Sequence, residues 1–477
     1  MAYVRGEAPG QGSLFPVSLE ELIPADHLVR VIDAYIATLD LRALGFAKAQ
    51  LKETGRPPYD PADLLKLYLY GYFQQIRSSR RLERECGRNI EVMGLLGRLV
   101  PDFKTIAEFR RLNTSAFSRV CRHFVQFCRG AGLIGGELVA IDGSKFQAVA
   151  AVRQVVQLTR LRRQEAALDK QIAEYLAQLE PADREETAAV VDKAALQAAL
   201  GQLRDRQRNV ASTAALMEAI GIEQQVLTES DARLMRTAHQ GKKVAYNVQS
   251  AVDAAHGLIV HHEVTSDGND IPQLEPMAKA TQAVLAQATL TVVADAGYSH
   301  LAQIQACEDA GITPYVALHR AINSQGDGGL FDRTEFTHDA LSDSFRCPNG
   351  VTLTLRQISP KNQNRIYAAP IESCAGCPLK AQCTTAKRRY VSRHDHEAAS
   401  QRMTLRLAAA PDIMKQRAAT VEHPFGHLKF TMMGNAGRFL LRGLEGARAE
   451  MALAVCAYNL KRSFNTLGAS ALLMLLR

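Results

Sequence analysis

Long apolar runs are missing from this 477-residue chain. None reaches the ~18 residues needed to cross a bilayer, and the opening stretch MAYVRGEAPGQGSLFP lacks the apolar core of a secretory signal. No membrane association is expected, and the chain reads as cytoplasmic. Paired cysteines are also missing: there are nine, an odd number scattered along a large chain, which argues against a disulfide framework. Acid is in deficit, with 57 Lys and Arg against 49 Asp and Glu and a formal net charge of +8. That balance favours a polyanionic partner without identifying it. At roughly 100 to 200 residues per domain, the length leaves room for two to four domains.

What is present falls into blocks. Residues 1–130 read as helical and basic. In GRPPYDPADLLKLYLYGYFQQIRSSRRLERE, Leu64, Leu65, Leu67, Tyr68 and Tyr72 recur at helical spacing, and Arg77, Arg80 and Arg81 follow as candidate phosphate contacts. In PDFKTIAEFRRLN, Thr105 and Glu108 predict a capping box ahead of an apolar helix face. From about 131 the texture changes, and GLIGGELVAID predicts a short strand ending on Asp142. An insertion over about 151–228 carries two helical stretches around EPADRE, which predicts an antiparallel hairpin. Strands then return in KKVAYNVQSAVDAA, GLIVHHEVT, LTVVAD and ITPYVAL, with helices between the later ones. Three strands, helix, strand, helix, strand is the order of a mixed α/β sheet over 131–318. Residues 319–400 form a cysteine-containing insertion, and 401–477 are helical again.

Two strands in this order stop on an aspartate, Asp142 and Asp295. A lone aspartate there is an ordinary turn former or helix cap. Two of them on neighbouring strands suit divalent metals instead, because phosphoryl transfer on DNA needs carboxylates gathered around such ions. Glu422, in VEHPFGHLK, is the best third acid. Lys429 lies seven residues on, so the two are expected on nearly the same helix face, although Pro424 requires a helix start or a bend nearby. Asn247 and Lys145 are candidates to meet phosphate or water. Asn269 and Asp270 read as helix caps, and Tyr298 either stacks on a base or packs.

These fragments together resemble bacterial insertion-sequence transposases of the DDE class, in particular the group numbered eleven eighty-two. The likeness is carried by GSLFPVSLEELIPADHLVRVIDAYIATLD, AIDGSKF, YNVQSAVDAAHGLIVHHEVTSDGNDIPQLEPM, VVADAGYSH, VEHPFGHLK and GRFLLRGLEGARAEMALAVCAYNLKR, in that order. The resemblance implies a ribonuclease-H-like mixed-sheet core with a helical N-terminal DNA-binding domain. The hairpin and the cysteine segment become insertions into that core. It also implies Asp142, Asp295 and Glu422 as a catalytic triad holding two Mg²⁺ or Mn²⁺ ions. Relatives place a tyrosine, an arginine and a lysine around the glutamate. Lys429 fits that pattern, Met414 stands in place of the tyrosine, and Arg417 is one residue out of register. Arg417 is therefore the weaker DNA contact of the two.

The expected activity is cut-and-paste transposition. The enzyme would bind the terminal inverted repeats of double-stranded DNA, hydrolyse a phosphodiester at each end and join the freed end to target DNA. A homodimer would hold the two ends, and the work would be done at the nucleoid. A domesticated DNA-binding relative without catalysis, or a ribonuclease-H-like nuclease that does not join, would share most of these features. Cys347, Cys374, Cys377 and Cys383 lie in one short segment, the last three as C-x2-C-x5-C. A Zn²⁺ site there competes with reduced thiols or a redox-sensitive pair.

Overall fold

The computed structural model describes residues 18–50, 57–184, 193–237, 241–317, 330–360, 363–434 and 437–477. The opening stretch expected to lack a signal lies outside them.

Val139, Ala140 and Ile141 are fully buried, and they form the middle of the molecule's main sheet in strand Leu138–Gln147. On one side this strand pairs antiparallel with Gly241–Asp253, from Val139 opposite Asp253 to Gln147 opposite Ala245. On the other it pairs parallel with Leu290–Ala294, with Ala140 opposite Val293. Ile259–Thr265 and the short Arg233–Thr237 add to the far edge of Gly241–Asp253, and Ile312–Val316 extends the parallel side. Leaving aside the edge strand Arg233–Thr237, the five strands therefore lie 3-2-1-4-5 in chain order, with the second antiparallel to the first. This is the ribonuclease-H-like order that the resemblance implied. A near-continuous apolar strand such as LTVVA fits a sheet covered on both faces.

Helix Leu274–Leu285 and the long C-terminal helix Leu444–Leu475 cover one face, and helix Ile413–His427 covers the other. The N-terminal helices do not form a separate core. Tyr35, Tyr68, Phe117 and Phe124 belong to one continuous apolar cluster with Ile141, Val248, Leu453 and Val455. Helix Phe103–Leu112 starts earlier than expected, because Asp102 accepts from the amides of Lys104 and Thr105 and takes the capping role assigned to Thr105.

The insertion is a pair of helices, Leu158–Arg184 and Lys193–Ala219, packed against each other. The first runs past the EPADR stretch where a turn was expected, and the connection beyond lies outside the described residues. The cysteine-containing segment is a lobe of its own. Its five antiparallel strands run in simple succession from Thr337–Asp339 through Ser344–Arg346, Thr352–Ser359 and Asn364–Ala368 to Tyr390–His394. No helix among the described residues is long and apolar enough to cross a membrane.

Candidate active site

Ala140 and Val293 are partners across the two parallel strands, and Asp142 and Asp295 each follow two residues later. Because side chains alternate along a strand, both aspartates share the face of Ala140 and Val293 and stand level just beyond the last parallel pair; the first strand does not stop on Asp142 as expected but continues to Gln147, held by its antiparallel partner. That face is covered by helix Ile413–His427, whose Val421 is buried against Ala140 and Val293 with Met414 beside it. Met414, found where relatives place a tyrosine, is thus part of the packing that seats the helix.

The same helix aims Arg417 at Asp142, with Nη1 3.8 Å from Oδ2. Arg417 precedes Val421 by one helical turn and so shares its inward face. The five-residue offset from Glu422 was a reason to discount Arg417, and that reason fails because Glu422 does not define the inward face. The Arg417 side chain is 17% exposed, yet its Nε and Nη1 make no hydrogen bond.

Lys429 sits in a π-helical turn, Leu428–Met432, that follows the helix. Its Nζ donates to Ser144 Oγ at 2.6 Å and lies 5.0 Å above the Phe146 ring. Gly437, at φ +78°, lets the following loop close on this pair, since a Cβ there would lie 2.8 Å from the Phe146 ring and 2.9 Å from the Lys429 stem. Burial lowers the Lys429 pKa, and Asp142 opposes that shift. Lys429 therefore points inward, whereas Glu422 is exposed and, among the described residues, has no ion-pair or side-chain hydrogen-bond partner. The expectation of one shared face does not hold. The helix begins well before Glu422 and carries Pro424 inside it, and the π turn changes the angular spacing beyond Leu428.

Asp142 is held at an unusual potential. Burial pushes its pKa up to about 6 despite the Gly143 amide and Arg417, with Asp295 and Asp270 adding to the rise. Asp295 accepts from the Gly297 amide at 2.9 Å, so it also caps the short turn after its strand.

The opposite face of the first strand holds a second polar group. Asp270 Oδ1 accepts from Asn247 Nδ2 and Gln249 Nε2, each at 2.7 Å, and lies 3.4 Å from Lys145 Nζ. Its side chain does not cap the next helix, contrary to expectation. Gly143 is required here, because a Cβ would lie 2.4 Å from Gln249 Nε2 and 2.5 Å from Asp270 Oδ1. Asn247 is fully buried, and Tyr298 is buried and donates to Gln249 Oε1, so neither is available to a DNA base. Sequence reading missed Gln249 and the role of Asp270. For Gln249, polarity in an otherwise buried strand was the only available signal; Asp270, in the loop before Ile271–Gln273, offered none beyond its helix-cap position.

Arg77 requires a correction. It is 5% exposed, donates to Glu450 Oε2 at 3.1 Å and twice to the Arg438 carbonyl, and ties the N-terminal helices to the C-terminal one. A guanidinium so enclosed does not meet phosphate. Arg80 and Arg81 remain exposed, and Arg80 lies over the Phe103 ring.

Carboxylates of this type suit a hard divalent cation. Among the described residues, though, no three His, Cys, Asp or Glu side chains stand together as they would around a bound ion. A ribonuclease-H-like sheet bearing two level aspartates under a cation-bearing helix is an arrangement that can serve phosphoryl transfer on nucleic acid. Comparison with known families makes this specific. Residues 17–112 match the family model described as Transposase domain (DUF772), and residues 224–460 match the one described as Transposase DDE domain. The chain belongs to the DDE transposases of insertion sequences, enzymes that cleave and join DNA using divalent metal ions. No curated protein matches it. The cryo-EM structure of the piggyBac transposase synaptic complex with hairpin DNA is similar at a TM-score of 0.32 and 8% identity, over 94% of this chain and 74% of that one.

Proposed function

We propose that this transposase performs cut-and-paste transposition with Asp142, Asp295 and Glu422 as its metal-holding acids. The observation that carries this reading is the level placement of Asp142 and Asp295 on one sheet face, beneath the helix that bears Arg417 and Glu422. Two Mg²⁺ or Mn²⁺ ions held there would activate the attacking water or 3′-hydroxyl and stabilise the leaving oxygen.

The chain's own contribution is positioning and charge. Arg417 offers two unpartnered donors beside Asp142, which suits a phosphate oxygen. Lys429 is braced by Ser144 and Phe146 at the same end of the sheet and supplies a second cation. Lys145, Asn247 and Gln249 act indirectly, by fixing Asp270 and through it the backbone around Gly143. Arg80 and Arg81 are the exposed cations of the N-terminal region suited to gripping the terminal inverted repeats. Pairing two ends calls for a homodimer in the DNA complex, and the substrate puts the reaction in the cytoplasm at the nucleoid.

The test is incubation with linear DNA carrying the element's ends and Mg²⁺ or Mn²⁺. Wild type should cleave and join, whereas Asp142→Ala, Asp295→Ala and Glu422→Ala should bind without reacting. Full activity of any one variant removes that residue from the triad. Cleavage without joining by wild type would identify a nuclease instead.

A further inference from the structure

The cysteine lobe takes no part in the chemistry above, and its architecture raises a question of stability. Its buried core consists of Phe336, Phe345, Leu353, Tyr367, Ala369 and Val391. Six side chains are few for a five-stranded sheet, and lobes of this size commonly need a staple.

Four thiols meet where such a staple would sit. Cys347, Cys374, Cys377 and Cys383 line one cavity, together with Lys380 and Arg389. They arrive from three places: the turn after strand Ser344–Arg346, the short helix Ile371–Ala375 with its following turn, and the end of helix Lys380–Cys383. The Cys347 turn is wound around its sulfur. The Val351 amide donates to Cys347 Sγ at 3.3 Å, and the Gly350 amide donates to the Cys347 carbonyl at 2.8 Å, with Gly350 at φ +78°. None of the four is in a disulfide. The nearby His394 and His396 lie against each other, rings tilted by 40°, outside this cavity.

We propose that Cys347, Cys374, Cys377 and Cys383 bind one structural Zn²⁺ as a four-thiolate site that fixes the lobe. The sulfurs do not yet stand at ligating distances. Closure requires rotation about the Cys side-chain bonds on a backbone that already brings them to one cavity. Ligation deprotonates the four thiols, releasing their protons to solvent, and leaves a centre of net charge −2. Arg389 and Lys380 line the same cavity and offset that charge. With all four positions filled by sulfur, no site is left for water, so the ion has a structural role.

The proposal is tested on the full chain purified with reductant and without chelator. Elemental analysis should find about one zinc per chain, as a closed four-ligand site requires. Replacement by Co²⁺ should give sulfur-to-metal charge transfer and the intense visible bands of tetrahedral coordination. Cys374→Ser/Cys377→Ser should lower the bound zinc at least tenfold, and Cys307→Ala, outside the lobe, should leave it unchanged. If the double variant fails to fold, the cobalt spectrum of wild type still decides. A reduced wild type that carries no zinc and gives no sulfur-to-cobalt band overturns the proposal, as does full zinc in a folded double variant or a Cys374–Cys377 disulfide in the purified chain. None of these results bears on the transposase reading, because the readouts do not involve DNA.

Discussion

The main sheet and the cysteine lobe are both β structures, but they hold their polar groups in opposite ways. The main sheet is covered by helices on both faces and shares one apolar cluster with the N-terminal and C-terminal helices. That burial supports unfavourable features at its edge: a carboxyl raised to about 6, an arginine with unpartnered donors and a glycine with no room for a Cβ. The lobe has six core side chains among the described residues, and much of its polar chemistry is spent on internal pairs. Asp343, for example, accepts from Tyr367 at 2.6 Å and from Arg365 at 3.2 Å. A large core can carry groups arranged for chemistry, whereas a small one has to use its polar groups to hold itself together.

The sharpest test of this contrast is Asp142→Ala or Asp295→Ala. Cleavage and joining should fall about a thousandfold or more, equivalent to roughly 4 kcal/mol of barrier. Urea midpoints at neutral pH should hold or rise slightly, because a buried and mutually repelled charge is removed. A large loss of stability would mean that these acids serve the fold. Glu450→Ala should do the reverse, costing roughly 3–5 kcal/mol of folding stability by leaving Arg77 charged and unpaired. Denaturant titration checks it, and a neutral outcome would show that the helices are not tied through this pair.

In the lobe, Phe345→Ala should cost about 3 kcal/mol. The loss should be local, read as protease cuts within 330–396 while the remainder of the chain stays intact. Cooperative loss of the whole molecule would break the comparison, since it would make the lobe part of the main core. Gly143→Ala is smaller in effect. Displacing Gln249 and Asp270 should cost about 1–3 kcal/mol, with catalysis falling further than stability, because Asp270 and its donors fix the backbone beside Asp142.

The mildest effect is one of pH. Burial lowers His261 to about 4 and His262 to about 3, with Arg122 adding to the first and His261 to the second. Both are neutral in the folded chain, whereas unfolded histidine takes up a proton near 6.5. Their contribution is therefore fully present above pH 6.5 and is lost as pH falls from there toward 3–4. Thermal midpoints should decline across that window, and His262→Gln should flatten the decline.

Much of this was legible from residue order. The apolar runs leading to Asp142 and Asp295 could be read directly, because a buried strand is continuously apolar, but only the second stops there: strand Leu138–Gln147 continues past Asp142 because its pairing with Gly241–Asp253 carries on to Gln147. The four cysteines stood out because C-x2-C is a local pattern. The burial of Arg77 was not legible: its partner Glu450 lies 373 residues away, and the local sequence around Arg77 reads as a basic surface. Asp270 looked like a helix cap because its neighbours in sequence suit one, while its actual donors, Asn247 and Gln249, come from strand Gly241–Asp253, more than twenty residues earlier.

The sequence by itself determined the type and order of the elements and which strands carry the two aspartates, because periodicity depends on neighbours a few residues apart, whereas several element ends were set by capping and pairing partners. Only the tertiary structure decided which face each charge occupies. Packing of Val421 on Ala140 and Val293 turns Arg417 inward and leaves Glu422 exposed, and a π turn carries Lys429 to Ser144. Those orientations follow from long-range burial, which outweighs any preference that a seven-residue spacing expresses alone.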